Sequence, residues 1–492
     1  MKHGIFQLQT PWADGPEFVT QCPIRPGKRY TYRFTITGQE GTLWWHAHVA
    51  LFRATVYGAL IIQPKRGPSG YPFTQPYQEI PILLGEWWNA SVVDLQNQAL
   101  ALGVTPNISD AYTINGNLGD LYSCSQSDMY KIEVEKNKTY LLRIINAALN
   151  NQLFFKLANH TFTVVAIDAA YTNPYVTDVV VTGPGQTVDV LVKTDQPVGS
   201  YYMAAHPYIS LPQFVTFSFD NTTTRAIFSY KGANSSQTPV MPTLPDFYDT
   251  TTVNNFHTNL TGLVGGPHWV PVPLNVDEHM FVTVGVNLET CPENATCQGP
   301  LDERFSASMN NESFVFPQNA SMLEAFYYGN RTGVYTTDFP DNPPLTFDYT
   351  NMSFSVDENL IYAPKSTKVR KLAFNATVEM VLQNTAFLAV ASHPIHLHSF
   401  NFHVLAQGFG NYNATNGSTI FNLVNPQIRN TISVPTGGWA VIRFQANNPG
   451  IWLLHCHLDE HMTVGMSMAF EVESGPTRST TLPRPPSDLP KC

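Results

Sequence analysis

The chain has 492 residues, a formal net charge of -10 and a sequence pI near 5.8. That acidic balance argues against nucleic acid or an anionic membrane as a partner, and no apolar run reaches the roughly eighteen residues of a spanning helix. With 37 prolines and 31 glycines among Val-, Thr-, Phe- and Tyr-rich stretches, the composition favours many short strands joined by turns. Fifteen N-x-S/T sequons favour a secreted glycoprotein, yet the chain opens Met1-Lys2-His3 with no signal peptide.

Residues 1–68 read as a first strand-rich unit. K-R-Y-T-Y-R-F-T-I-T, from Lys28 to Thr37, alternates polar and apolar residues and predicts a half-buried strand. In G-T-L-W-W-H-A-H, His46 and His48 share a strand face with Ala47 opposite, so each imidazole can take a different metal. V-Y-G-A-L-I-I-Q-P, from Val56 to Pro64, reads as a buried strand. A Pro/Gly-rich link then leads to a second unit, 77–232, with strands such as E-I-P-I-L-L-G-E-W-W and T-V-D-V-L-V-K. This unit holds only His160 and His206, read as surface or locally bonded, and no metal ligands. Residues 233–275, rich in Pro, Thr and Asn, read as a linker over the surface. The third unit, 276–474, holds S-H-P-I-H-L-H-S-F and W-L-L-H-C-H-L-D-E-H-M-T-V-G-M. A Pro-rich tail, 475–492, ends the chain. Three successive β-rich units with metal-ligating residue types in the first and last predict tandem Greek-key barrels or sandwiches whose end units face each other.

The densest chemistry lies in Trp452 to Met466. In a strand Cys456 points to one face, and His455 and His457 to the other. One short piece of backbone can therefore join two metal sites. His461 and Met466 can fold back to the cysteine side, which gives His, Cys and a distant Met, the ligand set of an electron-transfer copper. Zinc is the rival metal, but it gives no reason for histidines on both sides of one cysteine. In H-P-I-H-L-H, His396 and His398 share a face, and His393 can turn toward a different site.

These motifs, together with H-G-I-F-Q from His3 and W-A-D-G-P-E-F from Trp12, resemble the plant laccases of the multicopper oxidase family over essentially the whole chain. The resemblance implies an all-β fold of three tandem cupredoxin-like Greek-key β-barrel domains. It implies four copper ions: one type 1, one type 2 and two type 3. His393, Cys456 and His461, with Met466 axial, match the type 1 site. His3, His46 and His457 match one type 3 copper, His48, His398 and His455 the other, and His396 one ligand of type 2. The family motif H-x-H-G carries a second type 2 histidine where this chain has Met1, so a shortened first domain is expected. The implied activity is one-electron oxidation of monolignol-type phenols, coupled to four-electron reduction of O2 to water, in lignin chemistry. Phenols and O2 are the expected partners, and a monomer in the apoplast is the expected form. A copper-binding scaffold with impaired catalysis and a metal-ion oxidase are the alternatives. Asp14 and Glu460, the acids nearest the motifs, are candidates for relaying protons. The resemblance also pairs Cys22 with Cys492, while Cys291 and Cys297 close a short loop and Cys124 is left over.

Overall fold

A computed structural model describes residues 1–125, 128–210, 218–351, 360–386, 388 and 391–492. Its regular structure is mainly strand, and its sheets are segregated along the chain. The first sheet pairs Lys2–His3, Gly41–His46 and Tyr57–Ile62 antiparallel. Next, a six-stranded and a five-stranded sheet drawn from residues 78–230 enclose one apolar core. The period-two pattern explains the packing: Val188, Val190 and Val192 of Thr187–Lys193 all enter that core. Each such side chain contributes roughly 1.5–3 kcal/mol of burial, offset by the entropy of ordering the chain.

A second pair of sheets follows. Its five-stranded member runs Val369–Leu372, Ser467–Val472, Gly450–Cys456, His393–Leu397 and Thr431–Val434. The register Ile395↔Cys456 and His396↔His455 sets the two histidine-rich motifs side by side. Cross-strand partners share a face. Ile395 and Cys456 therefore enter the core between the sheets, while His396 and His455 face outward toward the rest of the molecule. The all-β expectation holds.

Several local expectations do not. Lys28 to Thr37 forms no strand. Its alternation survives as half-buried Tyr30, Tyr32 and Phe34 between exposed residues, but no strand among the described residues pairs with it. Apolar periodicity reports which face is covered, not whether the backbone finds a ladder. Tyr57–Ile62 is half-buried rather than buried. The 233–275 segment contains a helix, Thr250–Thr258, capped by the Asp249 carboxylate accepting from the Thr252 amide at 2.9 Å. It buries Val253, Phe256 and His257. His160 is locally bonded, to Tyr230 and the Ala158 carbonyl, and both it and His206 are buried. Cys22–Cys492 and Cys291–Cys297 are disulfides, and Cys124 is an exposed thiol. Among the described residues no helix is long and apolar enough to cross a membrane.

Candidate metal centre

Cys456 ends its strand with its sulfur in the core. Sγ lies 3.6 Å from His393 Nδ1 and 3.8 Å from His461 Nδ1, and those two nitrogens are 3.2 Å apart. His393 arrives on the neighbouring strand, and His461 on the one-turn helix Asp459–Thr463 that follows. Gly465 then reverses the chain at φ +116°, where an added Cβ would sit 2.2 Å from Ser313 Oγ. The Met466 amide donates to the His461 carbonyl and the Cys456 amide to the Met466 carbonyl, both at 3.0 Å. Met466 is fully buried in the same core as Cys456.

On the outward face of the strand two further triads converge. His3, His46 and His457 form one, with His3 Nδ1 and His457 Nε2 3.2 Å apart. His48, His398 and His455 form the other, with His455 Nε2 at 3.4 Å from His48 Nε2 and 3.1 Å from His398 Nε2. The ring of His396 stacks on His3 with centroids 3.7 Å apart. Residues 455–457 are thus shared between all three groups.

The hydrogen bonds show that these groups suit a cation. His398 Nδ1 donates to Asp14 Oδ2 at 2.8 Å, and His455 Nδ1 to the Cys456 carbonyl at 2.8 Å. Their Nε2 lone pairs therefore face each other. His46 Nδ1 donates to the Ala47 carbonyl and His396 Nδ1 to the Asn430 carbonyl, which leaves both Nε2 atoms buried without a partner among the described residues. Protons do not fill the gaps, because burial holds His3, His46, His48, His396, His455 and His457 well below the usual imidazole range. Burial likewise pushes the Cys456 thiol up, so its thiolate needs a metal. Imidazole with thiolate and a nearby thioether suits copper.

The two expected acids fall in different places. Asp14 is buried against His398, fixing its ring through Oδ2. Glu460 lies beside the cysteine group, with Oε1 3.4 Å from His461 Nε2. Burial, then the Glu86 carboxylate, pushes its carboxyl up to about 7. It shares a small pocket with Phe305, Leu100, Val104 and Pro106, and the Phe305 ring centroid is 6.0 Å from that of His461.

Supporting residues that the sequence did not reveal come from loops of the sheets drawn from residues 78–230, Gly185 and Asp168, and from 429–431 of the later sheets. Gly185, at φ +92°, lets a loop pass so close that a Cβ would lie 2.9 Å from His457 and 3.0 Å from His3. Asp168 Oδ2 accepts from Arg429 Nε and from the Asn430 and Thr431 amides, each at 3.3 Å. Asn430 and Thr431 in turn hold His3 Nε2 and His396 Nδ1. One carboxylate thereby positions two rings that it does not touch. Asp168→Asn leaves the Arg429 guanidinium buried without its charge partner, at a cost of about 2 kcal/mol. The expected result is an altered paramagnetic-resonance spectrum of the outward-face copper with unchanged blue absorption. An identical spectrum would show that Asp168 has no positioning role.

Family models described as multicopper oxidase match residues 1–67, 78–233 and 338–476. Laccase-7 of Arabidopsis thaliana is 60% identical over 100% of this chain and 86% of its own length. Laccase-24 of Oryza sativa subsp. japonica is 55% identical, again over 100% of this chain and 86% of its own length. Among solved structures, the laccase of Botrytis aclada superposes with a TM-score of 0.71 at 24% identity, covering 98% of this chain and 78% of that one. Fet3p, described as a multicopper oxidase that functions in iron import, gives a TM-score of 0.73 at 22% identity, covering 96% and 79%. Three tandem cupredoxin-like units, copper-type donor groups and laccase relatives spanning the whole chain have one reading: the chain belongs to the multicopper oxidase family, among the plant laccases, and is a copper-dependent oxidoreductase.

Proposed function

We propose that His393, Cys456 and His461, with Met466 buried in the same core, would hold a type 1 copper, and that His3, His46, His457, His48, His398, His455 and His396 would serve a trinuclear cluster. Residues 1–68, 77–232 and 276–474 are the three domains of this reading, with 233–275 as linker and 475–492 as tail. The observation that carries it is the sharing of His455, Cys456 and His457 among the groups, which links them covalently within three residues. Bound copper supplies one-electron chemistry on one side and oxygen reduction on the other. Four phenols each lose one electron and one proton, and O2 takes four of each to give two waters. Glu460, against apolar Phe305, Leu100, Val104 and Pro106, is placed to accept the phenolic proton on its carboxylate. Asp14 orients His398 and is the acid placed to pass protons to the oxygen side. The setting is extracellular, which the sequons support, and the chain acts as a monomer on lignin-type phenols.

A metal-ion oxidase needs acids beside His461. Asp459 is spent on Arg53, at 3.0 Å, and is buried, which leaves Glu460 alone. Glu460→Gln tests both readings. Phenol oxidation is expected to lose roughly 10²-fold in kcat/KM with copper content unchanged, and ferrous iron to be a poor donor throughout. An unchanged phenol rate removes Glu460 from the reaction. Ferrous iron outperforming phenols in the unaltered enzyme overturns the phenol reading.

A further inference from the structure

A cavity of about 350 Å³ lies outside the residues assigned to this chemistry. It opens where three parts of the chain meet: the strand ends at Gln152, Tyr208 and Ser210, the helix Thr250–Thr258, and the third unit at Ser392, Phe409, Ser433 and Thr436. Its position separates it from the type 1 group. Ser433 pairs with Pro394, and His393 with Val434. Side chains alternate along a strand, so Ser433 lies on the sheet face opposite His393 and Cys456. Glu460 and Phe305 belong to a different pocket.

The wall is built for a ligand. His257, Gln152 and Ser433 are 6%, 5% and 5% exposed. Both ring nitrogens of His257, Gln152 Oε1 and Ser433 Oγ have no hydrogen-bond partner among the described residues, and neither has Thr436 Oγ1. Polar groups buried without partners are costly, and the side chains that carry them line this cavity. Tyr208, Tyr248 and Phe409 add aromatic surface and Pro435 an apolar edge. Among the described residues no Asp, Glu, Lys or Arg lines the cavity, so an ionic ligand would bear a desolvation cost there. Burial and the nearby Arg429 also keep His257 neutral, at about 3. The volume lies at the small end of the range for ligand pockets, which suits one ring rather than an oligomer.

We propose that this interdomain cavity is a binding site for a neutral, single-ring aromatic alcohol, separate from the site where phenols are oxidised. Its hydroxyl groups bond His257, Gln152, Ser433 and Thr436, and its ring packs on the tyrosines. Because the walls come from three segments, occupancy ties the linker helix to both neighbouring units and raises the unfolding temperature.

The test is titration calorimetry of the copper-loaded enzyme with 4-methoxybenzyl alcohol, which has the ring and the alcohol but no phenolic hydroxyl. Saturable binding of one molecule per chain is expected, with benzoate at least tenfold weaker. Asn254→Trp places an indole at the cavity from an exposed helix position. It is expected to weaken binding at least tenfold while leaving blue absorption and phenol oxidation unchanged. His257→Leu keeps similar bulk without the ring nitrogens and is expected to weaken binding as well. Three results would each overturn the proposal: no saturable binding, equal affinity for benzoate, or full affinity in Asn254→Trp.

Discussion

Cys456→Ser is expected to abolish the blue absorption, remove one copper per chain and bring phenol oxidation down to the background rate. The sulfur is the only soft anionic donor in its group, the other two being the Nδ1 atoms of His393 and His461. A serine hydroxyl is close in size but is a hard, neutral oxygen that does not give up its proton here, so the metal loses both charge compensation and covalency. The outward-face histidines keep their partners, because the hydrogen bonds of His398 and His396 run to Asp14 and Asn430 and not to the sulfur. Copper analysis and paramagnetic resonance of the variant should therefore lose one class of signal and retain the rest. Loss of every copper would mean that the sulfur supports the outward face as well, and retention of the blue band would remove Cys456 from the type 1 site.

The second large effect is on stability. Arg53 is fully buried, with Nη1 3.0 Å from Asp459 Oδ1. Its Nη2 donates to the carbonyls of Ala148 at 3.2 Å, Leu149 at 3.3 Å and His457 at 2.9 Å. One guanidinium thus fastens the first segment to the second and to the backbone of the H-C-H motif. Burial pushes Asp459 up to about 6 in spite of the arginine, and burial also pushes Arg53 down. Desolvation outweighs attraction for both partners, so the pair is costly to bury and costlier to break. Arg53→Met is expected to cost about 3–5 kcal/mol by stranding the carboxylate, seen as a lowered unfolding midpoint and reduced copper retention. The double variant Arg53→Met, Asp459→Leu should recover part of that loss. Unfolding of the single variant at the wild-type midpoint would show that the pair carries no structural weight.

The donor set was legible because two histidines one residue apart at a strand end keep their rings close, as His46 with His48 and His396 with His398 do, and H-C-H separates sulfur from imidazole. The residues around the donors were not. Arg53 and Asp168 are single charges without periodicity, and their partners are largely backbone groups that only the tertiary fold brings near. The helix Val92–Leu102 carried a local signature, Ser91 accepting from the Asp94 amide and Gly103 ending it at φ 71°. It stands among strand-forming stretches. Lys28 to Thr37 misled in the opposite direction: its alternation matches its burial, but a ladder depends on a neighbour that periodicity does not encode.

The pairing of His3 with His457 also sets a timetable for biosynthesis. The two lie 454 residues apart in sequence. At typical synthesis rates roughly 25–90 s pass between their emergence. A growing chain cannot offer either outward triad until residues 455–457 have been made, and Cys22 waits longer still for Cys492. Metal loading of the outward triads must therefore wait for those residues to emerge and dock against the first segment.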